Sequence, residues 1–191
     1  CVNMVGLRCL IFATQFKTSC YAEMIRDLCP ELENQEPGNL RLNRFQRLRS
    51  IVQISDSPIN GAFSFSEISK KNSNIDKDRL DEISAGLKPD EAINIQFTSG
   101  TTGDPKGATL THKNIINNAV SCANSMSLEN NDRLCIPVPL YHCFGMVLGT
   151  LACISAGAVM IFPNEGFDPV KTLKALKAEK CTAVHGVPTM F

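Results

Sequence analysis

Residues Thr98 to Gly107, TSGTTGDPKG, bring three glycines, four hydroxyl side chains and one lysine together between two apolar, strand-like stretches. This composition suits the binding of a polyphosphate. Gly100, Gly103 and Gly107 permit the turns that aim successive N–H groups at one anion. Thr98, Ser99, Thr101 and Thr102 offer hydroxyls, Lys106 offers a mobile positive charge, and Asp104-Pro105 sets a turn just before it. A Walker A loop is excluded, because it needs Gly-Lys followed by Ser or Thr, whereas Lys106 here precedes Gly107 and Ala108. No GxGxxG dinucleotide fingerprint occurs. The plain alternative, a surface loop of small polar residues, fits less well with strands on both sides.

The elements that must position this loop follow from hydrophobic pattern and punctuation. Ala92–Phe97 and Ala108–Leu110 read as strands. Thr111 is an N-cap for a helix whose apolar face comprises Ile115, Ile116, Ala119, Val120, Ala123 and Met126. Leu134–Val138 reads as a strand, Tyr141–Ala156 as a helix and Ala158–Phe162 as a strand. Asp168-Pro169 opens a helix with the face Val170, Leu173 and Leu176, and Cys181–Val184 closes with a strand. Upstream, Cys9–Phe12 and Ile51–Ile54 are strand-like. A helix over about Ser19–Leu28 is ended by Pro30. The polar stretch from 58 to about 90 holds one or two short helices at most. Strands alternating with helices at this spacing predict an α/β fold with a mostly parallel sheet flanked by helices.

Composition narrows the function. A chain of 191 residues that is 43% hydrophobic can bury a sizeable core. Nineteen basic residues balance nineteen acidic ones, leaving no global field to attract nucleic acid. Arg41, Arg44, Arg47 and Arg49, and the ladder Lys171, Lys174, Lys177 and Lys180, read as solvated faces ahead of binding patches. The nine cysteines contain no CxxC pair, so they read as free thiols among apolar neighbours, with no metal ligands.

No Asp, Glu, Lys or Arg lies between Arg133 and Glu165, and Cys143–Phe162 is an apolar run long enough to cross a bilayer. It even carries the helix-pairing spacing Gly145…Gly149. Gly157 divides the run, however, and no basic cluster or tryptophan flanks it. A buried helix followed by a buried strand is the better reading, so the chain is expected not to be transmembrane.

The loop is similar to the phosphate loop of the adenylate-forming (AMP-binding) superfamily, which includes acyl-CoA synthetases, aryl-CoA ligases, luciferases and peptide-synthetase adenylation domains. PLYHCFG, Pro139–Gly145, resembles that family's PL(F/Y)HxxG segment at the expected distance. Together with VHGVPTMF, these stretches most resemble the mitochondrial medium-chain acyl-CoA synthetases. The resemblance implies activation of a carboxylic acid by ATP to acyl-AMP, then transfer to CoA, with Mg²⁺, in the mitochondrial matrix. It assigns ATP binding to Thr98, Ser99, Gly100, Thr101, Thr102, Gly103, Asp104, Pro105 and Lys106, and substrate binding to His142 and His185. It implies no metal ligand and no certain catalytic residue in this chain. His142 is the candidate for positioning the carboxylate, against the alternative of a histidine satisfied in the core. Tyr141-His142-Cys143-Phe144 lacks the acid that pairs a substrate ammonium in amino-acid-activating relatives, which favours a simple carboxylate.

On this reading residues 1–191 are a partial AMP-binding domain, with 58–90 a polar connecting region and 92–191 the phosphate-loop α/β core. Cys1 at the start and Phe191 just after a strand exit favour a piece of a larger protein. The family's C-terminal domain, ribose ligand and metal-binding acid are expected beyond residue 191, so the isolated chain is expected to be inactive. The rival expectations are a non-catalytic, truncated nucleotide-binding protein and an aryl-CoA ligase.

Overall fold

The computed structural model describes residues 1–71, 76–98 and 103–191, which form two compact units, Cys1–Gly86 and Leu87–Phe191. In the first unit β1 (Cys9–Ala13) leads through the short antiparallel pair β2 (Gln15–Phe16) and β3 (Ser19–Cys20) into α1 (Tyr21–Leu28). β4 (Ser50–Ile54) then pairs in parallel with β1 and with β5 (Phe63–Ser64). Leu32, Leu40, Leu48 and Ile51 are buried beneath this sheet. The buried polar residue within β4, Gln53, has both ends of its amide used. Its Nε2 donates to Thr14 Oγ1 at 2.9 Å, and its Oε1 accepts the Ile59 N–H at 2.7 Å. Two short helices follow, α2 (Phe65–Lys71) and α3 (Lys77–Gly86), and no residue of α3 is buried.

The second unit begins with β6 (Ala92–Thr98) and β7 (Lys106–Thr111), which pair antiparallel as a hairpin around the phosphate-loop sequence. This hairpin is an antiparallel exception within the mostly parallel pattern expected. Beyond it the pattern holds. α4 (His112–Ser125) leads to β8 (Arg133–Cys135), which lies between β9 (Val159–Ile161) and β10 (Ala183–Val184), parallel to both. Between β8 and β9 the chain forms a helix, and between β9 and β10 it forms α6 (Pro169–Ala178), as parallel pairing demands. β8 is the core strand, with Leu134 and Cys135 fully buried and continuous with Ile136 and Val138.

The caps read from sequence are present. Thr111 Oγ1 accepts the Asn114 N–H at 3.1 Å, while Asn114 Oδ1 accepts the Thr111 N–H at 3.0 Å, which is a reciprocal capping box. Asp168 Oδ1 accepts the Lys171 N–H at 2.9 Å, one residue before Pro169. Thr111→Ala should therefore lower stability by about 1 kcal/mol. An unchanged urea midpoint in that variant would show that the cap contributes nothing.

The helix faces need correction. On α4, Ile115 and Ala119 are buried against Val147 and its neighbours and Ala123 is also buried, but Ile116 and Val120 remain exposed. On α6 the expected face is largely outside: Val170 is 58% and Leu173 67% exposed, while Thr172 is buried. Thr172 is tolerated inside because its hydroxyl donates to the Asp168 carbonyl at 2.7 Å. The cysteines also divide more evenly than expected. All nine are free, but only Cys29, Cys135 and Cys153 are buried, and Cys1, Cys9 and Cys143 are exposed.

The apolar run from Cys143 to Phe162 resolves into helix, turn and strand. Phe144–Leu151 is a π-helix that passes into α5 (Ala152–Ala156), Gly157 closes it at φ 73°, and β9 follows. Among the described residues no helix is long and apolar enough to cross a membrane. The small residues of the run serve packing within the unit. A Cβ on Gly145 would lie against the Pro139 carbonyl oxygen, and one on Gly149 would lie 3.0 Å from Ile136 Cγ2.

Candidate nucleotide and carboxylate site

The hairpin places Thr98 directly opposite Lys106, at the end where the loop begins and ends. The Thr98 hydroxyl donates to the Lys106 carbonyl at 3.5 Å, a weak tie across that mouth. Ser99, Gly100, Thr101 and Thr102 lie outside the described residues. Gly103 has φ 119°, a backbone conformation that favours glycine. Asp104, Pro105 and Lys106 are exposed. Three ion pairs occur among the described residues, and none involves Lys106. A cation held at a loop mouth without a protein counterion suits an incoming phosphate chain.

β7 runs directly into α4 through the Thr111 cap, and α4 packs on the π-helix through Ile115, Ala119 and Val147. The second part of the site stands at the start of that π-helix. The His142 N–H donates to the Pro139 carbonyl at 3.2 Å, and its ring Nδ1 accepts the Phe144 N–H at 3.1 Å. The ring thus caps the helix, with Cys143 Sγ 3.7 Å from the same nitrogen. An accepting Nδ1 fixes the neutral tautomer with hydrogen on Nε2. His142 is exposed, so that N–H is open to a ligand, and the core-histidine alternative does not describe this position.

His185 is the histidine that is satisfied inside. It is only 8% exposed, and its backbone N–H extends the ladder to the Cys135 carbonyl at 3.0 Å. Its Nε2 donates to the Leu148 carbonyl at 2.8 Å, and its ring lies 5.0 Å from that of Phe144 at a 59° tilt. Ala152, four residues after Leu148, gives its N–H to the Val147 and Gly149 carbonyls, leaving Leu148 to accept from His185 and, at 3.5 Å, from Cys122 Sγ. His185 also lines an apolar cavity of about 430 Å³ with Pro137, Phe167, Leu173, Leu176 and Phe191.

The structure therefore joins His142 and His185 through Phe144, whose amide serves one ring and whose side chain meets the other. Sequence reasoning quoted Phe144 in PLYHCFG without giving it a role. Leu148 carried no signal at all, because its part is played by a backbone oxygen. The thiols nearby are poor nucleophiles: burial, with Cys181 alongside, raises Cys135 to about 11, and desolvation also raises the half-buried Cys122 and the buried Cys153. Among the described residues no group of three or more His, Cys, Asp or Glu side chains could hold a metal ion.

Residues 5–191 match the family described as AMP-binding enzyme. The chain belongs to that family. It is 44% identical over 182 residues to a Bacillus subtilis (strain 168) protein provisionally named acyl-CoA synthetase YngI, covering 95% of this chain and 33% of the relative. It is 41% identical over 192 residues to the mitochondrial medium-chain acyl-CoA ligase ACSF2 of Danio rerio, covering all of this chain and 32% of that protein. The chain thus spans about a third of the length of the curated relatives it matches. Its fold is that of the corresponding part of adenylate-forming enzymes. The crystal structure of the anthranilate CoA ligase AuaEII with anthranoyl-AMP superposes with a TM-score of 0.74 at 21% identity, over 99% of this chain and 33% of that one.

Proposed function

We propose that this AMP-binding chain is the phosphate-binding and carboxylate-positioning part of an ATP-dependent acyl-CoA synthetase acting on a medium-chain acid in mitochondria. The observation that carries the reading is a Lys106 at the loop mouth that enters no ion pair among the described residues, together with an exposed His142 whose Nδ1 is occupied by the Phe144 amide. In the first reaction a carboxylate oxygen attacks the α-phosphorus of ATP, and the bond to the β-phosphate oxygen breaks to release pyrophosphate. In the second, the CoA sulfur attacks the acyl carbon and AMP leaves. Neither step needs a covalent bond to the protein. The work is positioning and neutralisation of charge.

Residues Thr98–Lys106 would hold the β- and γ-phosphates, with Lys106 supplying a compact charge that need not be bidentate, as suits a loop that must release pyrophosphate. Mg²⁺ accompanying the nucleotide would supply the remaining neutralisation of their charge. His142 Nε2–H would donate to the carboxylate or its mixed anhydride and fix the attacking oxygen. The apolar cavity walled by His185 offers room for an alkyl chain. The turn Tyr141–Phe144 holds no acid, so a substrate ammonium there would stay unpaired, which favours a fatty acid over an amino acid.

His142→Ala tests the assignment. Fatty-acid-dependent ATP–pyrophosphate exchange should fall about 10²-fold, the scale of one lost positioning or proton-donating group, while the melting temperature moves little because the side chain is exposed. Normal exchange by folded variant protein would remove His142 from the chemistry.

A further inference from the structure

We infer that His185 is a positioning residue for His142, acting through the ring of Phe144; this rests on the reading of His142 given above. The geometry forms a chain of fixed contacts. The Leu148 carbonyl, which the π register leaves without the Ala152 amide, accepts from His185 Nε2 at 2.8 Å, so Nε2 carries the hydrogen and the ring plane is set. A histidine that is 8% exposed has little freedom to leave this arrangement. The ring so fixed lies 5.0 Å from that of Phe144 at a 59° tilt, a centroid separation within the range of interacting aromatic rings. Phe144 is the first residue of the π-helix, and its N–H, 3.1 Å from His142 Nδ1, is what keeps His142 in the Nε2–H form. Holding the Phe144 side chain therefore holds the amide that decides which nitrogen of His142 bears hydrogen. A neutral His142 free to swap tautomers would offer a lone pair, in place of a donor, to an incoming carboxylate for part of the time. The contact joins β10 to the helix start, two elements far apart in sequence, and the β8 ladder sets its reach, since the His185 N–H is bonded to the Cys135 carbonyl at 3.0 Å.

Two substitutions divide the chain of contacts. His185→Gln keeps a donor for the Leu148 carbonyl and removes the ring. His185→Phe keeps a ring against Phe144 and removes the donor. The full chain, labelled with ¹⁵N in its three histidines, is read by ring ¹⁵N shifts at a pH where the rings are neutral, with His142→Ala supplying the assignment. The wild-type and His185→Phe chains are expected to show His142 in the Nε2–H form, whereas His185→Gln shows averaged tautomers. In the protein that carries this chain, His185→Gln should lower kcat for acyl-adenylate formation roughly 10- to 100-fold with KM for ATP unchanged, the range of a group left a fraction of an ångström out of place. A His142 signal in His185→Gln that stays in the wild-type form overturns the inference. If the tautomers average but kcat does not fall, His185 still positions His142, and it is the role of His142 in carboxylate activation that fails.

Discussion

Lys106→Ala is expected to slow acyl-adenylate formation by about 10²–10³-fold, the usual cost of removing one charged stabiliser of a transition state. AMP binding should change far less. The difference follows from where the charge sits. Lys106 faces Thr98 across the mouth of the phosphate loop and enters none of the ion pairs among the described residues, so its field is available to the ligand. In the reading proposed above that ligand is the β,γ end of ATP, where charge accumulates as pyrophosphate departs, and AMP has no such end. Lys106→Arg should recover part of the rate, because charge is retained while the planar guanidinium demands a more specific geometry than a compact ammonium. The burst of pyrophosphate release in single-turnover experiments measures the step directly. A burst in Lys106→Ala as fast as in the wild type would place the lysine outside the reaction.

How far the site could be read from sequence depended on whether local chemistry or distant packing decided each feature. The two strands flanking the phosphate loop and both capped helices were legible, the helices because Thr111, Asn114, Asp168 and Pro169 act on their own backbone within one turn, whereas the antiparallel pairing of the two strands was not. The apolar face of α6 was not. Val170 and Leu173 match a helical stripe, yet the unit buries Thr172 and leaves both outside, and no periodicity states which side of a helix has neighbours. The helix after PLYH was legible as a helix and not as a π-helix. Its widened register shows in the backbone bond that Ala152 gives to the Val147 carbonyl five residues back. His142 was singled out by its motif, but its tautomer depends on a backbone amide two residues on. His185 was singled out beside it, but its burial and its hold on Leu148 depend on β10 lying next to β8. A single sequence names such residues and cannot join them.

Gly145→Ala is expected to be among the most damaging small substitutions in the second unit, and to act on His142 without touching it. A methyl at this position would overlap the Pro139 carbonyl oxygen, with the Pro139 carbonyl carbon only 2.8 Å away and Leu140 Cα 3.1 Å away. All of these are backbone atoms, so no side chain can swing aside. The relief must come from moving either the π-helix or the 139–142 turn. The turn is held by the His142 N–H on the Pro139 carbonyl and by the Met146 N–H on the His142 carbonyl, while the helix is pinned by Val147 against Ile115 and Ala119. Either shift breaks contacts already made, which puts the loss of stability on the order of 3 kcal/mol, at the upper end for overpacking. If the turn yields, the Phe144 amide and the His142 ring part company, and carboxylate activation should fall by a factor near that of His142→Ala. Urea unfolding and ATP–pyrophosphate exchange on the same preparation separate the two consequences. Gly145→Ala protein with a wild-type midpoint and wild-type exchange would mean that Pro139 and the π-helix do not meet as closely as described.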